Sequence, residues 1–119
     1  VRQRRSKGLV RAVFAPDATH VLEPPEPIRE AAEHLAVPVP PLVVRGHEEL
    51  DARVARAYEM FVATGEMRFE LGGAARRLRD VVKLEWVARS PDGEAVGGGT
   101  DLLVLDADGR VSVDYQFVG

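Results

Sequence analysis

The sequence predicts an α+β domain in which helices come first and a run of consecutive antiparallel strands follows. Three observations predict it. Apolar residues recur at helical spacing in the first half, most clearly after Gly46; apolar and polar residues alternate with period two from Met67 to Phe117; and turn residues cut this second half into hairpin-sized pieces. At 119 residues, 45% hydrophobic and 29% charged, residues 1–119 have the size and composition of one globular domain with a core of its own.

From Gly8 to Phe14 the apolar residues Leu9, Val10, Val13 and Phe14 follow helical spacing. Pro16 ends the pattern, because the residue before proline avoids the helical region. Thr19 to Leu22 reads as a short strand, and Glu23-Pro24-Pro25-Glu26-Pro27 stops it, since proline donates no ladder hydrogen bond. Ile28 to Leu35 forms a short helix with Pro27 in its first turn, and Pro38, Pro40 and Pro41 extend the connection beyond it. A proline-flanked insert of this kind reads either as a lid over a binding site or as a passive surface loop.

Leu42 to Val44 is a brief strand. Gly46 then opens the strongest helix, with Leu50, Val54, Ala57, Tyr58 and Phe61 on one face, Glu48, Glu49 and Asp51 near its positive start, and Gly65 as its stop. Beyond it, Met67, Phe69 and Leu71 alternate with Arg68 and Glu70, and Val82, Leu84, Trp86 and Ala88 with Val81, Lys83, Glu85 and Val87. Pro91-Asp92-Gly93 turns the chain into a strand from Ala95 to Leu105, and Asp106-Ala107-Asp108-Gly109 into a last one. There Val111, Val113, Tyr115 and Phe117 oppose Ser112, Asp114 and Gln116.

Composition excludes several chemistries. With no cysteine there is no disulfide, thiolate nucleophile or cysteine-held zinc or iron–sulfur cluster, which suits a reducing, cytoplasmic setting. No apolar run approaches a membrane span, so no membrane partner is expected. The net charge is −3, and outside Arg2, Arg4, Arg5 and Lys7 the basic residues are scattered among acids, so no stripe awaits a nucleic acid. The basic start reads as a solvated terminus or an interaction arm.

Phe14-Ala15-Pro16-Asp17-Ala18-Thr19-His20-Val21 resembles the helix-to-strand junction of the nuclear transport factor 2-like superfamily. Arg45-Gly46-His47-Glu48-Glu49-Leu50 resembles the glycine-led start of that family's next long helix, and Gly99 to Val111 its last two strands. In this order the segments cover most of the chain from residue 9, and within the superfamily the chain is most similar to SnoaL-like proteins related to polyketide cyclases and ketosteroid isomerases. The resemblance implies a cystatin-like cone: a curved antiparallel sheet with helices packed on its concave side around a mainly apolar pocket, forming a homodimer through the sheet. It also implies a longer first helix than residues 1–8 provide, so these are expected to be a divergent or truncated form of it or an arm.

The resemblance places Asp101 at the oxyanion-binding aspartate of ketosteroid isomerase. Read from the residues, Asp101 shares a strand face with Leu103 and Leu105; if that face is enclosed, desolvation favours the neutral acid, a donor to an oxygen that becomes negative. The alternative is an edge carboxylate facing water. Glu23 before Pro24 resembles the isomerase's aspartate-proline pair, whose carboxylate is the general base, although the spacing from Asp17 is one residue longer and reverses the strand face unless a bulge absorbs it. Otherwise it is a solvated loop acid. His20 is a candidate base or acid near neutral pH or a structural histidine. Tyr58, Trp86, Leu103 and Tyr115 are candidate pocket walls, the aromatic ones with a polar tip for a ligand.

His20, His34 and His47 repeat no metal-ligand spacing, so no metal is expected, and His47 reads as a surface or capping residue. Gly97-Gly98-Gly99 lies in a strand with no helix after it, so it reads as strand bending or close packing rather than phosphate binding. The expected function is binding of a small apolar molecule, with cofactor-free isomerase, cyclase or dehydratase chemistry on a carbonyl compound, or else a non-catalytic ligand-binding or dimerisation module.

Overall fold

The structure, a computed structural model, describes residues 10–24, 26–39 and 42–119, with the backbone alone at Phe61. The basic start, the first helical residues Gly8 and Leu9, and Pro25, Pro40 and Pro41 lie outside the described residues, as does the expected inward side chain of Phe61.

Residues 10–13 are helical, and the chain becomes β1 (Phe14–Leu22) sooner than the helical spacing suggested. The helix α1 (Glu26–His34) carries Pro27 in its first turn, where a missing N–H costs nothing, and buries only Ala32. After β2 (Leu42–Arg45), α2 (Gly46–Ala57) begins with the Glu49 carboxylate accepting the Arg45 N–H at 2.5 Å, which satisfies a donor the helix start leaves open. A π-helical turn (Tyr58–Val62) extends α2, the Ala63 N–H reaching Tyr58 O at 2.8 Å, and Gly65 ends it with a positive φ of 77°.

The strands that follow are β3 (Arg68–Leu71), β4 (Arg76–Leu78), β5 (Val81–Arg89), β6 (Ala95–Leu105) and β7 (Val111–Val118). The period-two reading gave all of these but β4, a three-residue strand with no apolar alternation. The described sheet has seven strands in the order β2-β1-β7-β6-β5-β3, and β4 shares with β3 the edge of β5 that faces away from β6. It is curved and unclosed. Register shifts between Phe14 and Thr19, Ala88 and Arg89, and Val104 and Leu105 bend it, because an extra residue on one strand increases local twist.

One pair departs from the expected antiparallel sheet. β1 runs parallel to β7, since the chain leaves β1 through the helices and returns to its flank only at the end. The core lies under α2, where Leu50 packs with Val10, Ala15 and Ala18, flanked by Phe14 and Val44. His47 contributes here rather than at the surface: its Nε2 lies 2.8 Å from Phe14 O and ties the start of α2 to β1.

The face of β7 is the main correction. Continued unshifted from the Leu105–Val111 pair, the hairpin would set Tyr115 opposite Asp101. The bulge moves the register by one, so Gln116 faces Asp101 and Asp114 faces Leu103. A one-residue step exchanges the faces of a strand. Asp114 is therefore 6% exposed, while Tyr115 and Phe117 stand 43% and 46% exposed on the outer face.

Candidate functional site

Three strands place acid–base groups on the inner face. His20 in β1 pairs with Asp114 in β7; Asp101 in β6 pairs with Gln116 in β7 and Leu84 in β5. One ligand atom from each of His20, Asp101 and Asp114 lies within 4.8 Å of the others. His20 and Asp101 are thus brought together, with Asp114 as a third member that the sequence reading did not single out.

Asp101 is anchored by the Trp86 indole N–H, which donates to its Oδ1 at 2.9 Å. Trp86 holds its place because Gly99, its cross-strand partner, has no side chain. A Cβ there would stand 2.5 Å from Trp86 Cζ2 and 2.8 Å from Cε2, so the close-packing reading of the glycine run is correct at this position. Phe69 meets the ring edge-on, with centroids 5.8 Å apart.

Asp114 is the carboxyl that burial turns into an acid. Desolvation, followed by the hydrogen bond and negative charge of Asp101 beside it, pushes its pKa up to about 9, so this pair holds a proton at pH 7. Asp114, on the strand beside Asp101, is a carboxyl that the sequence reading did not single out. Its Oδ1 is buried without a hydrogen-bond partner among the described residues, and its Oδ2 lies 4.0 Å from His20 Nε2.

His20 is buried and doubly engaged: Nε2 lies 2.8 Å from Gln116 Oε1, and Nδ1 2.9 Å from Arg53 Nη1, which also donates to Leu42 O at 3.2 Å. Burial, the largest influence, lowers its pKa; the Gln116 contact opposes this, Arg53 lowers it further and Asp101 raises it. The imidazole is neutral at pH 7.

Glu23 is not part of this group. Its Oε1 accepts the Val118 N–H at 3.0 Å and its Oε2 lies 3.9 Å from Arg29 Nη1, so it latches the end of β1 to β7. With Val21, Pro24, Val39, Tyr115 and Phe117 it lines a groove of about 180 Å³, where the proline-flanked insert touches the sheet. Tyr115 belongs to this groove. Leu103, half-buried, faces the same side as Asp101 and Asp114, and Tyr58 lies in the π-helical turn with its hydroxyl buried.

The cluster has the residue types of a cation site, but the ring nitrogen facing the carboxylates is ill-suited to ligation. Arg53 only donates, so Nδ1 is the acceptor and the imidazole proton sits on Nε2, where a metal would need a lone pair. The donor set fits a proton better than a metal ion.

Asp114, Gln116 and Arg53 escaped the sequence reading. Asp114 and Gln116 alternate with apolar residues and looked solvent-facing, and no sequence signal marks the bulge that turns them inward. Arg53 sits three residues after Leu50, adjacent to the buried face of α2, and that spacing alone could have found it.

Comparison with solved structures agrees with this architecture. A SnoaL-like family protein from Agrobacterium tumefaciens, proposed to be an isomerase, is 24% identical with a TM-score of 0.75, over 98% of this chain and 83% of that one. A protein of ketosteroid isomerase-like fold from Catenulispora acidiphila, in complex with trimethylamine, is 20% identical with a TM-score of 0.61, over 94% of this chain and 73% of its own. The chain has the nuclear transport factor 2-like fold. A proposed polyketide cyclase from Sinorhizobium meliloti is 14% identical with a TM-score of 0.59, over 96% and 84% of the two chains. No protein-family model and no curated protein matches the sequence.

Proposed function

We propose that this nuclear transport factor 2-like domain binds a small, mainly apolar carbonyl compound on its inner face and isomerises, cyclises or dehydrates it by acid–base chemistry without a cofactor. The observation that carries this reading is the buried pair of Asp114, holding its proton at neutral pH, and Asp101, steadied by Trp86. Such a pair serves both halves of an enolisation. Asp101 takes the proton from the carbon beside the carbonyl, the C–H electrons move into the new C=C bond, and the oxygen's growing negative charge is met by the Asp114 O–H. Returning the proton to a different carbon completes an isomerisation.

In this reading Glu23 is a structural latch and His20 an orienting group, since both are engaged elsewhere. The SnoaL-like and cyclase descriptions of two structural neighbours support the same reaction class. The test is deuterium incorporation next to the carbonyl of cyclic ketones of graded size in D2O, followed by NMR. The expected result is exchange with the wild type and a loss of about 100-fold or more in D101N and D114N. No exchange and no binding across the series would end the proposal.

The outer face supports a further, compatible proposal. Val43, Val21, Tyr115 and Leu102 lie side by side across β2, β1, β7 and β6, and Val113, Val104 and Val81 repeat the pattern one step along. Val43, Val81, Tyr115 and Phe117 are exposed. An apolar band of this extent suits a second copy of the chain.

A further inference from the structure

Arg53, His20 and Gln116 are joined by contacts that admit one direction of donation. A guanidinium has only N–H donors, so the Arg53 Nη1 contact at 2.9 Å requires a lone pair on His20 Nδ1. A neutral imidazole then carries its hydrogen on Nε2, where it donates to the Gln116 Oε1 2.8 Å away. With its oxygen committed to His20, the Gln116 amide has its NH2 group left. Among the described residues no acceptor is bonded to that nitrogen, and Gln116 stands opposite Asp101 in the β6–β7 register.

We infer that this relay makes Gln116 the group that orients the ligand, its amide N–H donating to an acceptor oxygen beside Asp101, and makes Arg53 a positioning residue that fixes the whole chain of bonds from α2. Taking the ligand as the carbonyl compound of the previous subsection rests on that reading; the direction of the relay does not. The charged groups facing His20 are Arg53 from α2, Asp101 from β6 and Asp114 from β7, with Asp114 Oδ2 at 4.0 Å. Arg53 makes the relay directional, because a second proton on the ring would point at its cation. The consequence for selectivity is that a ligand with an oxygen lone pair at this point is held, and one presenting only an N–H there meets another donor.

The test is 15N NMR of histidine-labelled protein, full chain, at pH 7, with the His20 signals assigned by their loss in H20Q. The wild type is expected to show the Nε2–H tautomer alone. R53K keeps it; R53M mixes the two tautomers and raises the pH at which the ring titrates. Binding of 2-cyclohexenone, measured by Trp86 fluorescence, is expected to weaken about tenfold in Q116L, the loss of one hydrogen bond, and to change less than about twofold in R53K. An Nδ1–H tautomer in the wild type overturns the relay whether or not the domain binds carbonyl compounds, and so does an R53M spectrum identical to it. The Nε2–H tautomer with undiminished binding in Q116L overturns the role given to Gln116 and leaves the acid–base pair standing. If the wild type binds no enone, the ligand assignment falls with the carbonyl reading, and the relay is still decided by the spectrum.

Discussion

Trp86 and Asp101 are joined across the β5–β6 pair by an indole N–H donating at 2.9 Å, and the same ring lies over Gly99. The first prediction follows from that arrangement. G99A sets a methyl group 2.2 Å from the Phe117 carbonyl oxygen as well as into the ring's space, so the β6–β7 backbone must shift and the indole must swing away from Asp101. A loss of about 1–3 kcal/mol is expected in chemical denaturation, with a red shift of Trp86 emission. W86F keeps the ring but not the donor and should cost about 1 kcal/mol, with the emission lost.

Asp114 makes stability fall as pH rises. Its pKa is raised to about 9 in the fold, so the folded chain keeps a proton that the unfolded chain releases near the ordinary carboxylate value of about 4. Its contribution is fully present below the unfolded value and is lost progressively up to about pH 9. D114N, which is neutral throughout, should flatten this decline, and its advantage over the wild type should grow from pH 5 to pH 9 in urea denaturation midpoints. Parallel slopes for the two proteins would contradict the protonated pair.

His20 acts in the opposite sense. Its lowered pKa means that the unfolded ring takes up a proton first as pH falls below about 6.5. Its contribution is present above that value and is lost as pH falls towards the lower, folded one. H20Q should remove this acid-side loss, visible as a flatter melting temperature between pH 7 and pH 5.

The outer face gives a prediction about assembly. Y115E places a charge in the apolar band between Val21 and Leu102. Sedimentation is expected to show a dimer for the wild type and a monomer for Y115E, with the circular dichroism spectrum unchanged. A wild-type monomer at micromolar concentration would remove the assembly proposal and leave the inner site untouched.

The legible part of this fold was the part that period and turn chemistry control. Val82, Leu84, Trp86 and Ala88 announce β5 and its inner face, and Asp106 to Gly109 announce the hairpin that follows β6, because alternation and tight turns are local properties. Asp101 was legible for the same reason: its strand neighbours are apolar on one side. The face of β7 was not, because it depends on a bulge between Val104 and Leu105, and an added residue leaves no mark in the alternation of either strand. A buried Asp114 also contradicts the rule that charges face water, and burial here is paid for by a retained proton. The spacing of Glu23 gave a sound warning, since the extra residue before it does set it off from the His20 group.

The parallel pairing of β1 with β7 has a consequence for the order of folding. The hydrogen bond between His20 and Gln116 joins residues 96 positions apart, while the β5–β6 and β6–β7 hairpins close through short turns. Closing so long a loop costs chain entropy before any contact returns it, so the hairpins are placed to form early and the docking of the first strand late. The acid pair lies on both sides of the β6–β7 hairpin and can meet in a partly assembled chain, whereas His20 joins it only when β1 docks alongside β7. The proposed site is therefore completed by the final docking event rather than by the meeting of the carboxyl groups.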